Sequence, residues 1–341
     1  MVPESSPMTK ESFRLGNLEI RPPLVLAPMA GLTHSALRSI IAQFGGVGLY
    51  STEMLSAKSI PFENPEKSPY LIRTARETPL SYQLLVGQAS HVRPAVERLE
   101  ELGAAAIDLN LGCGAPKVRK LGCGIALWED EDRLKEVVWK IRVSTDLPFT
   151  AKIRLGPCLD RAMFRRRLLL LEALGLDALY IHARLDREPF SRKPRWEWAG
   201  LAKQWLGIPI IINGGIFSLE DATRCLAQSN ADGLMIGRAA AIMPWIFSCI
   251  ASGLSGLSSP PPQIDLPAIY HSFCHGLISR FPQERRIGRL KEFTHYFSRN
   301  YPFGNRLAMA VQGSTSMSEA MEKADRFFEK NRGTERFKGC P

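Results

Sequence analysis

Short apolar runs recur along residues 22–250, each followed by a longer segment whose apolar positions are spaced by three and four, one pair for roughly every 25–35 residues. A compact apolar run followed by a 3.6-period run is the pattern of a strand that crosses over through a helix to a parallel neighbour. Eight runs fit the strand role: 24–27, 48–51, 80–86, 105–110, 149–154, 178–182, 210–213 and 233–236. Eight strands, each followed by a helix, predict an α/β chain closed into a (β/α)8 TIM barrel, with an open doubly wound sheet as the alternative. Polar residues and glycines cluster at the C-terminal ends of these runs, which in a closed barrel converge on the face where active sites lie. They are Pro28, Met29 and Ala30, Gln83 within the third run, Asn110 to Cys113, Lys152, His182, Asn213-Gly214-Gly215 and Gly237-Arg238.

The barrel pattern stops at GLSGLSSPPP, 253–262, where glycine, serine and a triple proline support the interior of neither helix nor strand. The chain therefore divides into an N-terminal extension, 1–21, a barrel, 22–252, a linker, 253–262, and a smaller C-terminal helical domain, 263–341. The tail reads helical around LKEFTHYF and MEKADRFFEK. Residues 271–341 hold 13 Lys/Arg against 7 Asp/Glu, so most of the net charge of +10 sits in about a fifth of the 341 residues. Neutralising phosphates with such a surface releases counterions, which favours a polyanionic partner such as structured RNA.

Residues 1–13 lack the apolar core of a secretory signal and are expected to fray, and no run approaches the length of a membrane span. The seven cysteines include no CxxC pair and no regular spacing, which argues against a zinc site, or any other metal site, and against a disulfide framework. A reducing, cytoplasmic location follows as the expectation.

The seventh and eighth strand ends, IPIIINGGI and ADGLMIGRAA, carry glycines where barrels build phosphate sites from backbone N–H groups, and Arg238 adds a fork of donors. A phosphate-tailed cofactor in a barrel mouth suits FMN. Gln83 would meet a ring carbonyl or nitrogen, Lys152 would place charge near N1, His182 would lie nearby, and the Pro28-Met29 backbone would sit under the ring. Cys113, in a glycine-rich loop, can act as a general acid, whereas Cys123 reads as a small buried filler.

The runs APMAGLTHSALR, YSTEM, QLLVG, DLNLGCGAPKV, LGCGIAL, AKIRLG, YIHAR, NGGI and DGLMIGRAA, in this order over about residues 22–250, resemble the dihydrouridine synthase family. The segment RIGRLKEFTHYFSRNY is similar to the helical domain of that family's branch acting on a tRNA D-loop uridine. The resemblance implies FMN held by Pro28, Met29, Ala30, Gln83, Lys152, His182, Asn213, Gly214, Gly215, Gly237 and Arg238, with NADPH as reductant. It implies Cys113 as proton donor, Asn110 on the target uracil, and Arg184, Arg289 and Lys291 toward substrate or tRNA. The chain departs from the family pattern at Gly114, where proline is usual, and at His34, where aspartate is frequent. A small-molecule flavin reductase of the dihydroorotate dehydrogenase type shares the cofactor residues but has no need of a basic tail. An RNA-binding protein without catalysis is the other alternative.

Overall fold

The structure, a computed structural model, describes residues 10–256, 263–337 and 339–340. A short antiparallel hairpin, β1 (Phe13–Leu15) and β2 (Leu18–Ile20), precedes eight parallel strands. These are β3 (Leu24–Leu26), β4 (Tyr50–Ser56), β5 (Leu80–Leu85), β6 (Ala106–Asn110), β7 (Phe149–Arg154), β8 (Ala178–His182), β9 (Ile210–Asn213) and β10 (Gly233–Ile236). Their order around the sheet is β3-β10-β9-β8-β7-β6-β5-β4, so strands adjacent in sequence pair in space and the last pairs with the first. The ring closes between β3 and the segment entering β4, where Leu26 N donates to Leu49 O at 2.9 Å and Gly48 N donates to Leu24 O at 2.9 Å. The barrel is as the apolar pattern predicts, and the open sheet is excluded. Strand β4 begins two residues later than predicted and runs to Ser56, because a register shift between Ser51 and Met54 breaks the period-two pattern.

Closure requires glycine at 48, since a Cβ there would lie 2.0 Å from Pro22 O and 2.8 Å from Ile20 Cγ2. The hairpin lies against the N-terminal ends of the strands, with Phe13, Leu15 and Ile20 buried among the inward-facing Val25, Leu49, Ala178, Ile211 and Met235. Phe13 is thus anchored rather than frayed, and residues 1–9 lie outside the described residues. Outside the barrel, helices start on side-chain caps that satisfy otherwise orphaned N–H groups. Asp130 accepts from Arg133 N, Asp160 from Met163 N and Ser218 from Asp221 N.

The helix Ile246–Ser255 runs three residues into the stretch read as helix-free and ends on Gly256 in the left-handed conformation, while the triple proline lies outside the described residues. Beyond it the helices Leu266–Arg280, Gln283–Phe297, Gly304–Gln312 and Met317–Lys330 form the tail. Their core stacks Phe273 on Phe293 at 3.8 Å. His34, where aspartate is frequent in the pattern the sequence resembles, is buried edge-on against Phe281 of the tail, and burial followed by the charge of Arg289 holds it well below its ordinary pKa, neutral. Among the described residues no helix is long and apolar enough to cross a membrane and no group of His, Cys, Asp and Glu could hold a metal ion.

The expectation of no disulfide is overturned: Cys249 is bonded to Cys340, with Cα atoms 5.3 Å apart, and five cysteines remain free. A separation of 91 residues hides such a pairing from any spacing rule, since only the packing of the tail brings the two together.

Replacing Gly48 with Ala forces a methyl group into the β3–β4 seam and is expected to cost about 1–3 kcal/mol. Urea unfolding should report it as a lower midpoint with unchanged slope.

Candidate active site

The C-terminal ends of the strands enclose a cavity of about 510 Å³. Of the residues singled out in the sequence, it brings together Pro28, Met29, Ala30, Asn110, Cys113, Lys152, His182, Asn213, Gly214, Gly215, Gly237 and Arg238. Each follows from strand periodicity: alternate residues at the end of a strand point inward, and where the strand stops the chain turns over the mouth.

Cys113 enters on the loop after β6. The Asn110 side chain holds that loop, its Oδ1 accepting from Cys113 N at 2.9 Å and Gly112 N at 3.3 Å, while its Nδ2 donates to Gln83 Oε1 at 2.8 Å. The loop is clamped from its far side by Ile125 N donating to Cys113 O at 3.1 Å. Gly124 permits this approach, having φ +62° and a position where a Cβ would sit 2.4 Å from Cys113 O. Cys113 is half-buried and lines the cavity, whereas Cys123 is buried outside it with its thiol pushed up by desolvation.

The cavity wall is cationic. Burial pushes Lys152 down to about 8, helped by Arg154 two residues along the same strand. Burial lowers Arg238 as well, and its guanidinium lies over the Phe190 ring, 4.6 Å from the centroid, and the Phe217 ring at 5.6 Å. Among the described residues neither Lys152 nor Arg238 has a carboxylate within ion-pair distance. His182 lies 2.9 Å from Arg184 Nη1, and because a guanidinium only donates, His182 Nε2 accepts and the ring carries its proton on Nδ1. Burial, then the charges of Lys152, Arg154, Arg184 and Arg238, keep His182 neutral, well below its ordinary pKa.

Four residues fall outside the cavity lining. Gln83 is fully buried, with its amide spent on Asp108 and Asn110, so it braces the site from beneath. Arg184, only 2% exposed, donates to Arg192 O and Phe190 O as well as meeting His182. Its expected reach toward substrate or RNA is thereby corrected, since a guanidinium committed to three internal acceptors fixes the loop after β8. Arg289 lies in a neighbouring cleft between barrel and tail, 3.3 Å from Tyr70 Oη and against Gly31. Lys291 lies in a groove of the tail with His295, Tyr296 and Met309. Sequence reading missed Arg154 and Phe190, and also Glu292 and Tyr296, through which the tail itself lines the cavity. Spacing held a signal for the last two, because residues four apart share a helix face. Phe190 arrives on an irregular loop and left none.

Comparison with known proteins bears on the family and the fold. The family model described as dihydrouridine synthase matches residues 25–326. The chain is 35% identical over 257 residues to tRNA-dihydrouridine synthase B of Pseudomonas putida, covering 74% of this chain and 75% of that one. It is 29% identical over 338 residues to a probable tRNA-dihydrouridine synthase of Mycobacterium tuberculosis, covering 95% and 85%. Among solved structures, a 2-naphthoyl-CoA reductase in complex with 2-naphthoyl-CoA (TM-score 0.56, 11% identity, 73% of this chain and 52% of that one) shares the fold. So does histamine dehydrogenase from Rhizobium sp. 4-9 (TM-score 0.56, 12% identity, 79% and 51%). With the family model spanning barrel and tail alike, this chain belongs to the dihydrouridine synthase family.

Proposed function

We propose that this protein reduces uridine to 5,6-dihydrouridine in tRNA, with FMN in the barrel mouth and NADPH as the reductant. The observation that carries the reading is the set of unpaired cations, Lys152 and Arg238, in the same cavity as the Cys113 thiol. Cations taken out of water without a carboxylate partner are stabilised by an anionic ligand.

The residues present fit FMN. Gly214 and Gly215 have φ of +112° and +77°, and side chains there would collide with Arg184 Nη1, His182 Cδ2 and Pro194 Cγ, each at 2.8 Å. Bare backbone is therefore what this corner of the mouth presents, and with Gly237 and Arg238 it would hold a phosphate. Lys152 and neutral His182 would face the polar edge of the ring system, and Pro28, Met29 and Ala30 would support it. Bound FMN, reduced by NADPH, supplies the hydride that the C6 carbon of uracil accepts. The C5=C6 bond of uracil is conjugated to its C4 carbonyl, so addition at C6 leaves charge that a proton must quench at C5. Cys113, held by Asn110 at the cavity edge, would deliver that proton as general acid. A uridine inside folded RNA reaches such a mouth only when turned out of its stack, and the basic tail, with Lys291 at its groove, would grip the backbone while that happens. In this reading the barrel, 22–252, is the cofactor unit, residues 263–341 dock the RNA, and the place of action is the cytoplasm, which now rests on the tRNA substrate and not on cysteine spacing.

The double substitution Lys152→Ala with Arg238→Ala should give a folded protein purified nearly colourless. Stoichiometric FMN in that variant, measured by absorbance near 450 nm, would remove the cofactor assignment. Cys113→Ala should stay yellow and be bleached by NADPH at near-normal rate, while single-turnover dihydrouridine formation falls by roughly 10²–10⁴, the scale of a lost general acid. Lys291→Ala should weaken tRNA binding and lower the slope of log K against log salt by about one.

A further inference from the structure

Beside the barrel mouth lies a second hollow, a cleft of about 520 Å³ between the barrel and the tail helix Gln283–Phe297, which shares Ala30 and Glu292 with the mouth. Its charge is of a different kind. Three carboxylates, Glu53, Glu284 and Glu292, stand against two guanidiniums, Arg285 and Arg289, so a bare phosphate is held less well here than among the cations of the mouth.

Glu53 sits where β4 loses its regular pairing. Ser51 pairs with Ser81 and Met54 with Gln83, so two residues, Thr52 and Glu53, oppose the single Tyr82. An extra residue of this kind re-aims a side chain, and Glu53 lines the cleft while only 6% exposed. Its Oε2 accepts from Gly31 N at 2.8 Å, whereas Oε1 is shut from water and has no hydrogen-bond partner among the described residues. A buried carboxylate oxygen without a donor is costly, and burial pushes Glu53 up against the pull of the Gly31 N–H, Arg289 and Arg38. Arg289 comes over the same Gly31 from the tail, its Nη1 2.7 Å from where a Cβ would lie, and its Nη2 donates to Tyr70 Oη at 3.3 Å. Among the described residues no carboxylate lies within ion-pair distance of Arg289. The cleft therefore sets an acceptor that lacks a donor beside a donor fork that lacks a carboxylate.

We propose that this cleft is a guanine site, in which Glu53 accepts from the N1–H and N2–H2 edge of an unpaired guanosine next to the target uridine while Arg289 donates to its O6 and N7. The site rests on the proposed reduction of uridine in RNA and adds a base preference to it. Each carboxylate oxygen has two lone pairs, so Oε2 can keep the Gly31 N–H. Guanine presents two donors side by side and then two acceptors, which is the complement of a carboxylate beside a guanidinium. Adenine reverses the order, since its amino group would face Arg289 and its bare N1 would face Glu53. Cytosine meets the same conflict, and uracil offers one donor between two acceptors with no N7. Because cleft and mouth meet at Ala30 and Glu292, a strand whose uridine enters the mouth brings a neighbouring base to the cleft.

Equilibrium binding of 5′-GMP, IMP, AMP and UMP to the full-length protein as purified reads the site. Wild-type protein should bind GMP about tenfold more tightly than AMP or UMP, the scale of one well-paired base edge, with IMP, which lacks the N2 amino group, in between. Glu53→Gln keeps an oxygen for Gly31 N and puts an NH2 where the other oxygen stood, so GMP should weaken about tenfold while AMP does not. Arg289→Ala should weaken GMP by a similar factor. In short RNAs with a single uridine, a neighbouring guanosine in place of adenosine should raise single-turnover dihydrouridine formation about tenfold below saturation, and Glu53→Gln should abolish that preference. Equal wild-type affinity for GMP and AMP overturns the proposal without any variant having to fold. A preference for GMP that survives unchanged in Arg289→Ala or Glu53→Gln overturns it too, because the base would then sit elsewhere. Selective GMP binding lost in both variants, in a protein that makes no dihydrouridine, supports the guanine site and sinks the proposed function. Dihydrouridine formed with no preference for guanine in either assay overturns the site and leaves the function standing.

Discussion

Every feature of the site depends on the seam between β3 and the segment entering β4. Parallel strands converge their C-terminal ends on one mouth only when the sheet closes, and here closure rests on a backbone approach so tight that Gly48 has no room for a Cβ against Pro22 O. Opening that seam would leave the same residues along an edge, with Pro28 to Ala30, just past β3, separated from Cys113 and Lys152 across the sheet. The hydrogen bonds of Leu26 and Gly48 are worth little singly, but they turn a list of strand-end residues into the lining of one cavity.

Within that ring the electrostatics follow from crowding. Burial, and then the charges of Lys152, Arg154, Arg184 and Arg238, keep His182 neutral, and burial with Arg154 beside it draws Lys152 down to about 8. Cations buried in this way are costly, and the cost is offset by phenyl rings under Arg238 and by carbonyls around Arg184 and Arg154. No carboxylate among the described residues lies within ion-pair distance of Lys152 or Arg238, and Asp108, the carboxylate whose charge reaches Lys152, only tempers the effect of burial.

The parts legible in the sequence were those governed by local periodicity. Seven of the eight strand runs begin within a residue of their observed starts, because a buried parallel strand is a short apolar run whatever surrounds it. The exception, β4, carries an irregularity between Ser51 and Met54 that a strict alternation cannot anticipate. Residue types at the mouth were equally legible, but their directions were not. Gln83 and Arg184 were chosen by position, and only their partners show that both are spent on internal bonds. The pairing of Cys249 with Cys340 and the reach of Glu292 and Tyr296 into the cavity depend on how the tail docks, through contacts such as His34 on Phe281 and Asn300 Nδ2 on Ile242 O. Docking of that kind is long-range and leaves little trace in a local window.

The hairpin beneath the barrel has a kinetic meaning. With Phe13, Leu15 and Ile20 packed under Val25, Leu49, Ala178 and Ile211, side chains fill the lower end of the barrel and the cavity lies at the opposite, C-terminal face. A ligand that enters the cavity from the C-terminal face leaves by that same face. A plugged lower end thus leaves the C-terminal face to carry all exchange with solvent, and the packing that closes one end of the barrel gives the other its traffic.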